Sequence, residues 1–151
     1  MNQFRPILYA EDDPRDTELT LAAFTTSKLA NEIIVVTDGA QALDYLFRRG
    51  AYAERRPGLP AFALLDLKMP KIDGMEVLRR IKTDDSLKAL PVIMLTSSRE
   101  ERDLVMSYKA GANAFVVKPI EFNEFANAVR ELSMFWAVIN EPPPDFARQV
   151  T

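Results

Sequence analysis

The chain has 151 residues and a formal net charge of −3, from 19 lysine and arginine residues against 22 aspartate and glutamate residues. This length predicts one domain with its own core, and the composition excludes a disordered chain and a surface that coats nucleic acid. The sequence contains neither cysteine nor histidine, which excludes disulfides, zinc fingers, thiol nucleophiles and a histidine base. Carboxylate, lysine and hydroxyl chemistry remains.

The sequence carries no signal for export or for insertion into a membrane. No apolar run approaches the roughly 18 residues of a membrane span. Residues 1–6 lack the apolar core of a signal peptide. The sequence therefore predicts a cytoplasmic protein without a membrane or nucleic-acid partner.

Five short apolar runs alternate with segments of helical character along the chain. The runs predict β-strands at residues 6–10, 32–37, 62–66, 91–96 and 114–118. The other segments predict helices at about residues 14–27, 39–49, 74–83, 99–110 and 121–139. Because parallel neighbours need right-handed helical crossovers, this alternation predicts an α/β fold with helices on both faces of a parallel sheet.

Capping residues and apolar spacing define the predicted helices. Asp13 before Pro14 predicts the N-cap of the first helix, and Gly50 is the predicted C-cap of the second. The predicted inward face of the first helix consists of Leu19, Ala22, Ala23 and Leu29. The third helix has an apolar stripe at Val77, Leu78 and Ile81. Residues 51–60 predict a loop whose basic pair, Arg55 and Arg56, is solvated rather than a polyanion-binding patch.

The last predicted helix carries one broad apolar face. Its members are Phe122, Phe125, Val129, Leu132, Phe135, Trp136 and Ile139. Two hypotheses for this face stay open: it covers the sheet, or it also binds a second copy in a homodimer. Three prolines, at residues 142–144, end the helix.

Polar residues that follow four of the predicted strands fall on the same edge of the sheet. Glu11 and Asp12 follow the first strand, Asp66 ends the third, Thr96 ends the fourth and Lys118 ends the fifth. Two unit charges 4 Å apart repel by about 4 kcal/mol at an effective dielectric of 20, so the carboxylates favour a bound cation. An oxygen-only ligand set indicates Mg²⁺, which also supports phosphoryl transfer to a carboxylate nucleophile.

Together these segments resemble the receiver domain of two-component response regulators, the CheY-like family, over about residues 7–139. The matching segments are residues 7–13, residues 64–70 with Asp73-Gly74, residues 92–97 and residues 115–119. The resemblance implies a doubly wound, flavodoxin/CheY-like α/β fold, a five-stranded parallel sheet in the order 2-1-3-4-5 with five helices. It also implies a cis peptide bond between Lys118 and Pro119.

The resemblance implies a role for each site residue. Asp66 would accept the phosphoryl group, and Lys118 would contact it. Asp12, Asp66 and the backbone carbonyl of Lys68 would bind Mg²⁺ directly, with Glu11 acting through water. Thr96, with Lys118, would also contact the phosphoryl group.

Thr96 and Phe115 would form a switch pair that changes the surface of the fourth helix, fifth strand and fifth helix. This implies a phosphoacceptor signalling protein, a response regulator that catalyses only its own phosphoryl transfer and dephosphorylation. Its partners would be a sensor histidine kinase and a downstream protein target. Residues 1–140 would form the receiver domain and residues 141–151 a proline-containing tail, without an output domain. The long loop after residue 50 and the proline tail resemble those of small regulators paired with bacterial phytochromes, which implies a bacteriophytochrome as the kinase.

Three alternatives share parts of this pattern. A pseudo-receiver would bind partners without being phosphorylated. A phosphatase of the haloacid dehalogenase type needs a second acid two residues after the nucleophile, where this chain has Lys68. A flavodoxin-like carrier needs a phosphate-binding loop after its first strand, where Glu11, Asp12 and Asp13 would repel a phosphate.

Overall fold

The computed structural model describes residues 5–26, 30–100 and 111–131. Its strands are β1 Ile7–Ala10, β2 Ile33–Val36, β3 Phe62–Asp66, β4 Val92–Thr96 and β5 Ala114–Val117. Its helices are α1 Pro14–Thr26, α2 Gly39–Phe47, the 3-10 helix Gly50–Tyr52, α3 Gly74–Thr83 and the final helix Phe122–Glu131. The fourth predicted helix, the later part of the fifth and the tail lie largely or wholly outside the described residues.

All five strands are parallel, and their order across the sheet is β2-β1-β3-β4-β5. This confirms the predicted fold class and strand order. The register pairs Asp66 with Leu95 and Thr96 with Val117. Strands β3, β4 and β5 therefore end at nearly the same height in the sheet. The residues that follow them meet at one edge.

Apolar side chains cover both faces of the sheet, because successive strand residues point to opposite faces. On one face, strand residues such as Leu8, Leu65 and Met94 pack with α2 and α3. The stripe predicted for α3, Val77, Leu78 and Ile81, is fully buried there. On the other face, Tyr9 and Leu64 pack with residues of α1 and the final helix.

No helix in the described part of the chain is long and apolar enough to cross a bilayer.

The predicted inward face of α1 is wrong by one helical position. Leu19 is 57% exposed and Ala22 is also exposed, whereas Thr20 and Phe24 are buried. The Phe24 ring lies 4.9 Å from the ring of Phe125, centroid to centroid, and contacts Tyr9 edge-on at 6.3 Å. An aromatic ring buries more apolar area than a leucine or an alanine, so Phe24 decides which face turns inward. Leu29 lies outside the described residues.

The start of α1 follows its prediction, but the end of α2 does not. The Asp13 carboxylate accepts a hydrogen bond from the Arg15 N–H at 2.8 Å, as an N-cap does. Helix α2 ends at Phe47, and its left-handed C-cap is Arg48 (φ 55°) rather than Gly50. Gly50 is also left-handed, but it begins the 3-10 helix. The chain reverses early because the following loop folds back against α2.

Arg55 holds that loop in place, so the prediction of a solvated basic pair is wrong for this residue. Its guanidinium stacks 4.2 Å from the centre of the Tyr45 ring. It also donates hydrogen bonds to the backbone oxygens of Tyr45 at 2.6 Å and Gly58 at 3.2 Å. Arg56 is exposed, as predicted. A planar group with five donors can satisfy several carbonyls and stack at once, which explains why Arg55 is half-buried.

Candidate functional site

The carboxyl edge of the sheet positions the predicted site residues through ladder hydrogen bonds that continue past the strands. The Glu11 N–H donates to the Val36 oxygen at 3.0 Å, and the Leu67 N–H donates to the Leu95 oxygen at 2.9 Å. The Lys118 N–H donates to the Thr96 oxygen at 2.7 Å. The backbone of the site is therefore part of the sheet and not a free loop.

Three carboxylates meet at this edge, as the sequence predicts. One oxygen each from Glu11, Asp12 and Asp66 lies within 4.8 Å of the others. Glu11 and Asp66 are 1% and 5% exposed, whereas Asp12 faces solvent. The cluster thus has two buried acids and one open side.

The Lys118 ammonium lies among these carboxylates. Its Nζ lies 3.1 Å from Glu11 Oε1, 3.2 Å from Asp66 Oδ1 and 2.8 Å from Asp16 Oδ2. The Lys118 side chain is 13% exposed. Burial lowers its pKa, but the carboxylates of Asp16, Asp66 and Glu11 outweigh this and raise the Lys118 pKa above its ordinary value. The ammonium is therefore charged under all ordinary conditions.

Burial raises the pKa of both buried acids, and this lysine does not fully offset that rise. Burial, and then the neighbouring Asp66 carboxylate, raise the pKa of Glu11 to about 7. Burial also raises the pKa of Asp66, while Glu11 and Lys118 oppose that rise. One ammonium does not compensate the cluster, and its donor atoms are all oxygens, so the residues fit a hard divalent cation such as Mg²⁺.

Thr96 and Phe115 lie on neighbouring strands and on one face of the sheet. Phe115 pairs with Met94, two residues before Thr96, and residues two apart in a strand share a face. Thr96 is fully buried, and its hydroxyl has no hydrogen-bond partner within the described part of the chain. Phe115 is only partly buried and packs against the core on that face. The structure thus brings the predicted switch residues together.

The segment after β3 is fixed by a close backbone contact with α3. The Asp73 carboxylate caps α3 by accepting from the Glu76 N–H at 2.9 Å, and the Gly74 N–H donates to the Leu67 oxygen at 2.8 Å. A Cβ on Gly74 would lie 2.3 Å from the Asp66 backbone oxygen, so only glycine fits. Lys68 lies exposed in the turn between them, and the role of its carbonyl stays a prediction.

The Lys118-Pro119 peptide bond is cis, which confirms the expectation from the family resemblance. Sequence reasoning missed one contact, the ion pair between Asp16 and Lys118. The signal for it is the place of Asp16 in the first turn of a helix that starts at the acidic site.

Comparison with known proteins decides the family. The profile of the response regulator receiver domain matches residues 7–130. The chain belongs to the response regulator receiver domain family. Receiver domains serve two-component signalling, take phosphoryl groups from histidine kinases and bind Mg²⁺ or Mn²⁺ at an acidic pocket.

Several relatives cover nearly the whole receiver domain. The structure of the bacteriophytochrome response regulator AtBRR is 58% identical over 92% of this chain and 99% of its own, with a TM-score of 0.87. The phosphorylated cyanobacterial phytochrome response regulator RcpA is 35% identical over 88% and 94%, with a TM-score of 0.70. Response regulator Rcp1 of Synechocystis is 36% identical over 89% and 90%. Its Mn²⁺-bound structure has a TM-score of 0.70, over 92% of this chain and 99% of its own.

Proposed function

We propose that this receiver domain accepts a phosphoryl group on Asp66 from a histidine kinase, in a reaction that requires Mg²⁺. The observation that carries the proposal is the contact between the buried Asp66 carboxylate and the Lys118 ammonium, 3.2 Å apart, beside a second and a third carboxylate. A buried acid with an adjacent cation and an open side has the surroundings of a carboxylate nucleophile. We name Asp66, Thr96 and Lys118 as the residues that act on the phosphoryl group.

The proposed step is a transfer between two nucleophiles. The bond between phosphorus and the imidazole nitrogen of the kinase phosphohistidine breaks, and the nitrogen keeps the electron pair. A bond forms between phosphorus and one Asp66 carboxylate oxygen. Lys118 then faces added negative charge, which its ammonium can compensate.

The acidic residues are the proposed metal ligands. Asp12 and Asp66 would offer carboxylate oxygens and Lys68 its backbone carbonyl, and Glu11 would act through water. When bound, Mg²⁺ neutralises charge on the transferred group. The phosphorylated RcpA and the Mn²⁺-bound Rcp1 support both parts of the proposal by their likeness to this chain.

Thr96 and Phe115 are proposed as the switch. The buried Thr96 hydroxyl would donate a hydrogen bond to a phosphoryl oxygen on Asp66. Its movement would open space for the Phe115 ring, which is partly buried on the same face. A ring without a hydroxyl can signal only by changing its packing. This shifts the population of the surface around β5 toward a form that a downstream protein recognises.

The proposed partners follow from the relatives. The likeness to AtBRR supports a bacteriophytochrome as the kinase.

The homodimer hypothesis depends on Trp136 and its neighbours, which lie outside the described residues. Sedimentation of wild type and Trp136→Ala, with and without phosphorylation, separates the two hypotheses, since only a dimer through that face would dissociate in the variant.

The proposal is tested by intact-mass measurement after incubation with acetyl phosphate. Wild type should gain one phosphoryl group, with acetate as the leaving group, only when Mg²⁺ is present. Asp66→Ala should gain none. If wild type gains none, and beryllofluoride also fails to bind in the presence of Mg²⁺, the pseudo-receiver alternative replaces this proposal.

A further inference from the structure

Lys118 has a third carboxylate partner that the proposed function does not use. Asp16 Oδ2 lies 2.8 Å from Lys118 Nζ, which is shorter than the distances to Glu11 and Asp66. Asp16 is not one of the three acids that converge within 4.8 Å. It therefore binds the lysine from outside the proposed metal cluster.

The position of Asp16 is fixed by the start of α1. It lies three residues after the N-cap Asp13, in the first turn of the helix. The buried Tyr9 hydroxyl lies 3.5 Å from the Asp16 backbone oxygen. The Asp16 side chain is 30% exposed, and Lys118 comes from the end of β5. This contact thus joins α1 to the carboxyl edge of the sheet.

A lysine at this place needs an anchor. Its ammonium is carried on a flexible four-carbon stem and has three N–H donors. Among the described residues the carboxylate acceptors are Glu11, Asp16 and Asp66, one for each donor. Two of these acceptors belong to the proposed metal and phosphoryl site, where they acquire other partners. Asp16 is the acceptor that stays available throughout.

We infer that Asp16 is a positioning residue, which holds the Lys118 ammonium beside Asp66 so that it is in place when the phosphoryl group arrives. This inference rests on the proposed function. The plain alternative is that Asp16 only complements the positive end of the α1 dipole. The two differ in what they predict for Lys118.

The test compares three variants with wild type. Asp16→Ala removes the anchor, and Asp16→Asn keeps an oxygen acceptor but no charge. Glu18→Gln is the matched control, because Glu18 is an exposed acid on the same helix and is not one of the Lys118 partners given above. The first readout is the initial rate of phosphorylation by acetyl phosphate with Mg²⁺. The second is the NMR order parameter of the Lys118 side chain in the unphosphorylated protein.

Misplacement of a group at a reacting centre by about 1 Å costs up to about a hundredfold in rate, so we expect Asp16→Ala to slow phosphorylation by about tenfold. Asp16→Asn should recover most of the rate, because a neutral acceptor still orients the ammonium. The Lys118 order parameter should fall in Asp16→Ala and stay near wild type in the other two variants. A dipole role would leave this order parameter unchanged.

Two results would overturn the inference: an unchanged rate in Asp16→Ala, or an unchanged order parameter of Lys118. If Asp16→Ala does not fold, Asp16→Ser takes its place, because the shorter serine hydroxyl does not reach Lys118, and the same losses of rate and order parameter are expected. If wild type takes up no phosphoryl group, the proposed function fails, and the order parameter alone decides whether Asp16 positions Lys118.

Discussion

Asp66 is placed where its charge costs stability. The side chain is buried beside Glu11, and burial raises its pKa. A raised pKa means that the folded state disfavours the charged carboxylate, so at pH 7 the charge opposes folding. Lys118 compensates part of this cost at 3.2 Å.

We therefore expect Asp66→Asn to be more stable than wild type at pH 7, by about 1 kcal/mol in the free energy of unfolding. Urea unfolding in the absence of divalent cations measures this difference. The matched control is Asp73→Asn, since Asn caps a helix as well as Asp does and the change should be neutral. A less stable Asp66→Asn would mean that the Lys118 ion pair outweighs the burial of the carboxylate.

The sequence predicts the identity of the site residues better than their contacts. Glu11, Asp66 and Lys118 could be predicted because strand ends of a parallel sheet share one edge. The contact of Asp16 could not, because it depends on how a lysine stem reaches across from β5 to α1. Side-chain direction of this kind follows from tertiary packing, which strand and helix periodicity does not encode.

Among the elements, the start of α3 is set by its approach to β3. A Cβ on Gly74 would meet the Asp66 backbone oxygen at 2.3 Å, closer than real atoms come. The Gly74 N–H also bonds to the Leu67 oxygen at 2.8 Å. This glycine is needed for close contact rather than for a left-handed backbone.

Gly74→Ala should therefore destabilise the domain by about 1–3 kcal/mol, as overpacking of a well-packed site does. Without the close contact, alanine within a helix would stabilise by up to about 1 kcal/mol, so the sign of the change is decisive. Thermal unfolding monitored by circular dichroism gives that sign. Phosphorylation by acetyl phosphate should also slow, because the helix start must move away from Asp66.

The loop after α2 depends on one arginine. Arg55 stacks on Tyr45 and donates to several backbone oxygens. We expect Arg55→Ala to lower the free energy of unfolding by about 1–2 kcal/mol, and Arg55→Lys to restore little of it, since an ammonium lacks the planar fork. The exposed neighbour supplies the control, and Arg56→Ala should be near neutral. An equal loss in both alanine variants would show a general charge effect and not the stacked contact.

The strand positions could be predicted from the sequence, but the face that helix α1 turns toward the core could not. The number of described strands and their bounds followed from apolar runs, within one or two residues. The inward face of α1 did not, because Leu19 and Phe24 compete for the same core and the helix can rotate to bury only one of them. The core position between Tyr9 and Phe125 selects the aromatic ring.

For the molecule as a whole, alternation of strands and helices predicts a parallel sheet but leaves the strand order open. The order β2-β1-β3-β4-β5 was predicted from the family resemblance and not from the pattern. It places β1 and β3 side by side, which brings Glu11 to Asp66 across 55 residues of sequence. The site is thus a product of topology: local sequence supplies the acids, and the strand order makes them neighbours.

In the proposed function, Asp66 itself carries the phosphoryl group. Reduction of the phosphorylated protein with borohydride converts an aspartyl phosphate to homoserine, and peptide mass spectrometry then locates the converted residue. We predict homoserine at position 66 in protein treated with acetyl phosphate and Mg²⁺, and aspartate there when Mg²⁺ is omitted. Homoserine at any other position, or a phosphorylated protein in which residue 66 remains aspartate after reduction, would show that Asp66 is not the phosphoacceptor.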